Sequence, residues 1–279
     1  MGSYIKTIVL LGFLSVLLIT VGGMLGGKIG IYMAFFFALL VNGGAYFFSD
    51  KLALAASGAK PVTKSQAPEL YGMAEDLAKK MHIQMPKLYV TPATQANAFA
   101  TGRDPKHASV AVTKGILDTL SPQELKAVLA HELSHVKNRD ILIASVAAVL
   151  ASSLSFLANM SFYGAGSRNE GNRGSGMLGI IVALLVPIGA AIIQMAISRE
   201  REYDADKTGA KTIGKGEPLA AALLKIHESA RRHPLRDVNP AFSSLYIGNP
   251  LGGFGGTFVN LFSTHPPVAK RIERLKAIK

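Results

Sequence analysis

The 279-residue chain is 49% apolar with a mean hydropathy of +0.29, high for a wholly soluble protein, so membrane segments have to be sought first. It contains no cysteine, which excludes disulfides and thiolate chemistry and leaves His, Asp and Glu as the donors for any metal site. Its net charge of +12 suits a surface lying against anionic lipid headgroups, and nucleic acid is not expected as a partner.

No charged residue occurs between Lys6 and Lys28, nor again between Lys28 and Asp50. Each run is long enough to cross a hydrocarbon core of roughly 30 Å as a helix. A cleaved signal peptide is the alternative for the first run, but signal cores are typically about 7–15 residues, and here a second apolar run follows at once. Between Asp50 and the next apolar region, residues 67–81 carry Leu70, Met73, Leu77 and Met81 at helical spacing. Short strand-like runs at 87–90, 97–101 and 109–113, broken by Pro, Gly and Asp, predict a small antiparallel sheet.

Ser121, Pro122 and Glu124 have the spacing of a capping box, which opens a helix expected to run to about Asn138 and to feed directly into a third apolar run. That run (141–167) and a fourth (174–198) flank the polar, Gly-rich segment from Arg168 to Arg173. They bring the expected number of transmembrane or membrane-inserted helices to about four, with a hairpin that only dips into the bilayer as the alternative for this second pair. A helix over 184–211 carries the chain back out, and further helices are expected over 217–232 and 266–278. The glycine cluster 248–256 lacks the strand and helix context of a nucleotide-binding turn and reads as a mobile loop. Lys and Arg number 12 in residues 50–140 and 14 in 199–279, against Lys28, Arg168 and Arg173 in the loops on the opposite side. The positive-inside rule therefore puts both polar blocks in the cytoplasm.

Residues 131–135 read His-Glu-Leu-Ser-His. On a helix, positions i and i+4 share a face, so His131 and His135 can bind one metal while Glu132 reaches a water held there. A catalytic zinc usually takes three protein ligands and keeps one position open. The dense acidic cluster Arg199-Glu-Arg-Glu-Tyr-Asp-Ala-Asp206 emerges from the fourth run on the same side of the membrane. Within it Glu202 and Asp206 are again i and i+4, so Glu202 could complete the site while Asp206 accepts a hydrogen bond from the other nitrogen of a ligand histidine. Arg199, Glu200, Arg201 and Asp204 read as a solvated charged turn.

His-Glu-Leu-Ser-His, the cluster from Ser198 to Asp206, and Ser263-Thr-His-Pro-Pro267 followed by Arg271-Ile272 together resemble the HtpX-type membrane metalloproteases, relatives of the CAAX prenyl proteases. The likeness covers nearly the whole chain. It implies an α-helical membrane protein with an α+β, zincin-like domain, one Zn2+ per chain held by His131, His135 and Glu202, and Glu132 as general base. It also implies that Asn97, Ala98, Phe99 and Ala100 form an edge strand that holds substrate backbone, and that His265 and Arg271 lie near the active site, where they could hydrogen bond or neutralise an oxyanion.

The expected organisation is two leading transmembrane helices (1–50), the first part of a cytoplasmic catalytic domain (51–140), a transmembrane hairpin (141–198) and the second part of that domain (199–279). The resemblance further implies a multi-pass protein of the bacterial cytoplasmic membrane whose substrates are polypeptides, misfolded or damaged membrane proteins among them, in quality control. Two rival readings remain. A site-2-type intramembrane protease would bury the motif in an apolar span, but the motif helix carries Glu124, Lys126, Lys137 and Arg139. A scaffold with a structural zinc would have no use for the base Glu132 beside an open position.

Overall fold

The computed structural model describes residues 2–150, 199–232, 247 and 266–278. The fourth apolar run, most of the third, the glycine cluster 248–256 and His265 lie outside the described residues.

The first element, α1 (Gly2–Ala56), is a helical hairpin broken at Gly27, whose φ of 57° and ψ of −140° only glycine adopts without strain. The reversal falls beside Lys28, the charge that divides the two apolar runs. Near the turn the two backbones approach so closely that a Cβ on Gly22 would lie 2.6 Å from the carbonyl oxygen of Gly30. Further along the arms, Asn42 Nδ2 donates to Ser15 Oγ at 2.7 Å and to the Leu11 carbonyl at 3.2 Å. Ile29, Met33, Phe36 and Leu40 are exposed on the second arm. Among the described residues that arm, Gly26–Ala56, is the one helix long and apolar enough to cross a membrane, while Ile5–Thr20 and Ile141–Leu150 are shorter apolar helices. The described residues thus hold one helix of spanning length where the sequence predicts four.

Next come β1 (Lys60–Pro61), α2 (Pro68–Met81), β2 (Lys87–Thr91), β3 (Ala98–Gly102), β4 (Ala108–Thr113) and α3 (Lys114–Thr119). The sheet order is β1-β2-β4-β3, with β2 parallel to β4 and the other pairs antiparallel. The expected antiparallel sheet is therefore corrected to a mixed one. After β2 the chain passes to the far edge to lay down β3, and β4 returns between them in the direction of β2. Alternation of side chains reports the two faces of a strand and says nothing of its direction, so the sequence left this open.

The helix α4 (Pro122–Lys137) begins with the predicted box: the Ser121 N–H donates to Glu124 Oε2 at 2.8 Å and the Glu124 N–H to Ser121 Oγ at 3.4 Å. It is followed by α5 (Ile141–Leu150), α6 (Arg199–Ile213), α7 (Glu217–Arg232) and α8 (Val268–Lys276). The helix α4 is the centre of the larger core, where its Val128, Leu129 and Leu133 pack with Leu77 of α2, Val110 of β4, Ala210 of α6 and Leu223 of α7. A separate apolar cluster joins α5 to the hairpin through Leu142, Ile143 and Val146 against Leu10, Leu14 and Ala45. The edge strand β3 is tied to both regions: Phe99 packs against Ala53 and Leu54 of α1, and Thr101 Oγ1 lies 2.7 Å from Ser145 Oγ of α5.

Candidate active site

One turn apart on α4, His131 and His135 bring their Nε2 atoms to 3.2 Å from each other. The facing helix α6 supplies Glu202, whose Oε2 is 3.7 Å from His131 Nε2 and whose Oε1 is 3.4 Å from His135 Nε2. Donor atoms of the three residues all lie within 4.8 Å of one another. The helices come this close because Gly209 of α6 lies against the backbone of α4, where even a methyl group would stand 3.0 Å from the His131 nitrogen. A side chain at this position would require one of the two backbones to give by a few tenths of an ångström.

The remaining ring nitrogens face carboxylates. His131 Nδ1 lies 3.0 Å from Asp206 Oδ1, off the line of an ideal hydrogen bond, and His135 Nδ1 lies 3.4 Å from Asp140 Oδ2. Carboxylates at both Nδ1 atoms favour the proton there, which turns two Nε2 lone pairs and the Glu202 carboxylate toward one buried point. Such a convergence of electron pairs is unfavourable until a cation neutralises it. Two imidazoles and a carboxylate are the donor types a zinc-like divalent ion takes, so the residues fit a metal. The electrostatics agree: burial works against a charged His135, but the Asp140 and Glu202 carboxylates outweigh it and push the group up to about 10. At His131 burial wins instead and pushes the imidazole down, toward the neutral form whose Nε2 lone pair a cation can take.

Glu132 occupies the same end of α4. Burial, reinforced by the Glu202 charge and opposed by His135 and Arg271, raises its carboxyl to about 7. The Ala100 N–H of the edge strand reaches the same carboxylate. Ala98 and Ala100 belong to the core shared with α4, whereas Phe99 turns to the opposite face, toward α1. Asn97 stands just before β3, its N–H donating to Thr113 Oγ1 and its side-chain oxygen accepting from the Ala98 N–H.

Arg271 of α8 enters the site with 1% of its surface exposed. It donates from Nε and Nη2 to the two Asp206 oxygens and lies 3.4 Å from Glu202 Oε2. Burial would raise the Asp206 carboxyl, but Arg271 and His131 hold it below the usual carboxylate range.

The structure therefore brings together His131, Glu132, His135, Glu202, Asp206 and Arg271 beside Ala98 and Ala100, while His265 lies outside the described residues. The sequence reading missed three participants. Asp140 follows His135 by five residues, a spacing that could have drawn attention. Arg201, expected in a solvated turn, is half-buried with Nη1 3.4 Å from Asp140 Oδ1, although Arg199, Glu200 and Asp204 are exposed as expected. Ile247 donates its N–H to the Ala98 carbonyl at 3.1 Å, and its own carbonyl accepts from Arg271 at 3.4 Å. No local pattern could have placed it there.

Residues 64–279 match the family model for peptidase family M48. A protease HtpX homolog of Syntrophobacter fumaroxidans is 46% identical, with the whole of both chains covered. A homolog of the same name from Pyrococcus furiosus is 46% identical over 99% of this chain and 96% of its own, and one from Aquifex aeolicus is 48% identical over 93% and 87%. Among solved structures, the crystal structure of S. mikatae Ste24p superposes with a TM-score of 0.53 at 20% identity, covering 98% of this chain and 65% of that one. That similarity is one of fold.

Proposed function

The chain belongs to peptidase family M48, as an HtpX-type membrane metalloprotease that acts on polypeptides, and on that premise we propose that it is a zinc-dependent endopeptidase of membrane-protein quality control. Its substrates are misfolded or damaged membrane proteins, and it is a multi-pass protein of the cytoplasmic membrane with the active site facing the cytoplasm. Residues 1–50 and 141–198 are its membrane segments and 51–140 and 199–279 the two parts of its catalytic domain.

One observation carries the chemistry: His131, His135 and Glu202 converge within 4.8 Å beside a buried Glu132. His131, His135 and Glu202 hold the Zn2+, which when bound polarises a carbonyl and acidifies water. Glu132 takes the proton from the attacking water and passes it to the leaving amine nitrogen, a task suited to a carboxyl raised to about 7. Asn97 to Ala100 hold extended substrate backbone as a further strand once the Ala98 carbonyl and the Ala100 N–H exchange their present partners, Ile247 and Glu132, for the substrate. The motif Ser263-Thr-His-Pro-Pro267 supports a role for His265 near the active site. Arg271 holds Asp206, and Asp206 faces the Nδ1 of His131. The Lys and Arg content of the two polar blocks supports the cytoplasmic orientation.

The test is zinc content and casein cleavage, side by side, for detergent-purified wild type, Glu132→Gln and Glu202→Ala. Wild type should hold one zinc and cleave, Glu132→Gln should keep zinc and lose about 10²–10⁴-fold in rate, and Glu202→Ala should lose both. A Glu202→Ala protein with normal zinc and activity would remove the third ligand from the scheme.

A further inference from the structure

We propose that Asp140 is a positioning residue for His135, held in place by Arg201, so that each histidine of the site has its own carboxylate braced by its own arginine. The inference rests on the reading of His131, His135 and Glu202 as metal ligands. On one side the chain of contacts is His131, Asp206, Arg271; on the other it is His135, Asp140, Arg201.

Backbone geometry delivers Asp140 to this place. The helix α4 stops at Lys137, Asn138 keeps helical dihedrals, and Arg139 takes a left-handed φ of 61°. That one residue turns the chain back on the helix end, where the Asp140 N–H donates to the His135 carbonyl at 2.9 Å. The carboxylate then lies beside the His135 ring with one oxygen toward Nδ1 and the other toward Arg201 Nη1, each at 3.4 Å. A non-glycine residue in the left-handed region is uncommon and costs free energy, which the contacts made on both sides of Arg139 offset.

His135 needs such a brace more than His131 does. The side chain of His131 is 1% exposed and walled by α6, whereas that of His135 is 16% exposed and stands at the last turn of its helix. A carboxylate at Nδ1 sets the tautomer that leaves Nε2 free for the metal and fixes the ring plane. Arg201 is the neighbour of Glu202 in sequence, so the same helical turn that supplies the third ligand also anchors the brace. Because Asp140 leads directly into α5, which packs against the hairpin, His135 is also coupled to the apolar part of the molecule.

A simpler role competes with this one. The Asp140 carbonyl accepts from the Ala144 N–H at 3.2 Å, so Asp140 opens α5 and its side chain could serve that helix alone. Asp140→Ser separates the two, because serine caps a helix start as well as aspartate does but is too short to reach both His135 and Arg201. The full chain in detergent is compared as wild type, Asp140→Ser, Arg201→Gln and the double variant, by Zn2+ affinity from chelator competition, by the visible spectrum of the Co2+-loaded protein and by Tm without metal. The expected result is that Asp140→Ser loses about 10–100-fold in Zn2+ affinity and shifts the Co2+ bands, while any fall in its metal-free Tm matches that of Arg201→Gln, which breaks the same ion pair. Arg201→Gln should change both readouts in the same direction by less, and the double variant should be no worse than Asp140→Ser. Unchanged Zn2+ affinity and Co2+ bands in Asp140→Ser would overturn the inference while leaving the metal site standing. Wild type that binds neither ion would overturn the metal reading and this inference with it.

Discussion

Arg271 grips Asp206 with two nearly parallel hydrogen bonds, from Nε at 2.8 Å and from Nη2 at 2.7 Å, and both side chains are almost wholly enclosed. A bidentate pair of this kind fixes the plane of the carboxylate as well as its charge. It stands between α6 and α8, so the C-terminal helix contributes to the site through a residue that does not itself contact Glu132 or the edge strand by any described hydrogen bond. The oxyanion role suggested by family likeness would fall to the remaining Nη N–H groups, which already face the Ile247 carbonyl at 3.4 Å and His131 Nε2 at 3.5 Å. Positioning is the simpler use of this guanidinium.

Arg271→Met should therefore act on stability and metal affinity together. Removing the cation leaves Asp206 buried beside Glu202, and breaking a buried pair in this way costs about 3–5 kcal/mol. Loss of the held carboxylate should also weaken metal binding by about 10–100-fold. Urea unfolding and chelator competition measure the two effects. Arg271→Lys keeps the charge but not the fork, and should fall between wild type and Arg271→Met. A stable Arg271→Met protein with normal affinity would mean that the pair is dispensable.

Gly209→Ala tests the helix approach. Its new methyl would meet the His131 nitrogen at 3.0 Å and the Ala130 carbonyl carbon at 3.1 Å, both backbone atoms, so the helices must part by a few tenths of an ångström. The expected cost is about 1–3 kcal/mol, with a displacement of α6 that separates Glu202 from the histidines. Reduced Zn2+ affinity alongside the lower stability would show both effects. Equal stability and affinity would mean that α4 and α6 can slide apart at no cost.

At the other end of α4, the capping box supplies a pH-dependent contribution. Burial raises the Glu124 carboxyl, but Lys225, 2.8 Å away, and the N–H and hydroxyl of Ser121 outweigh it and leave the group below 4.5. A carboxyl depressed by folding stabilises the protein above its unfolded pKa, and that contribution is lost as pH falls through the folded value. Wild type should therefore exceed Glu124→Gln in stability by about 0.5–2 kcal/mol at neutral pH. The gap should close as pH drops below 4.5. Thermal unfolding from neutral pH to pH 3 checks it, and a gap that persists in acid would assign the effect to packing instead.

The sequence by itself determined what repeats within one element. Helical spacing gave α2, α4 and α7 nearly to the residue, and the box at Ser121 fixed where α4 begins. The i and i+4 positions of His131 and His135, and of Glu202 and Asp206, were legible for the same reason, since one helix turn places each pair on one face whatever surrounds it. The charge at Lys28 marked the hairpin, and Gly27 supplied the left-handed residue that the turn requires. Strand direction was not legible, because a pleated strand shows the same faces to parallel and antiparallel partners. Nor were the contacts of Asp140 with Arg201 or of Ile247 with Ala98, which join residues 61 and 149 positions apart. The contact of Asp140 with Arg201 forms where Gly209 lies against α4 and Arg139 turns the chain back toward His135. Local rules describe the faces of an element, and tertiary packing decides which faces meet.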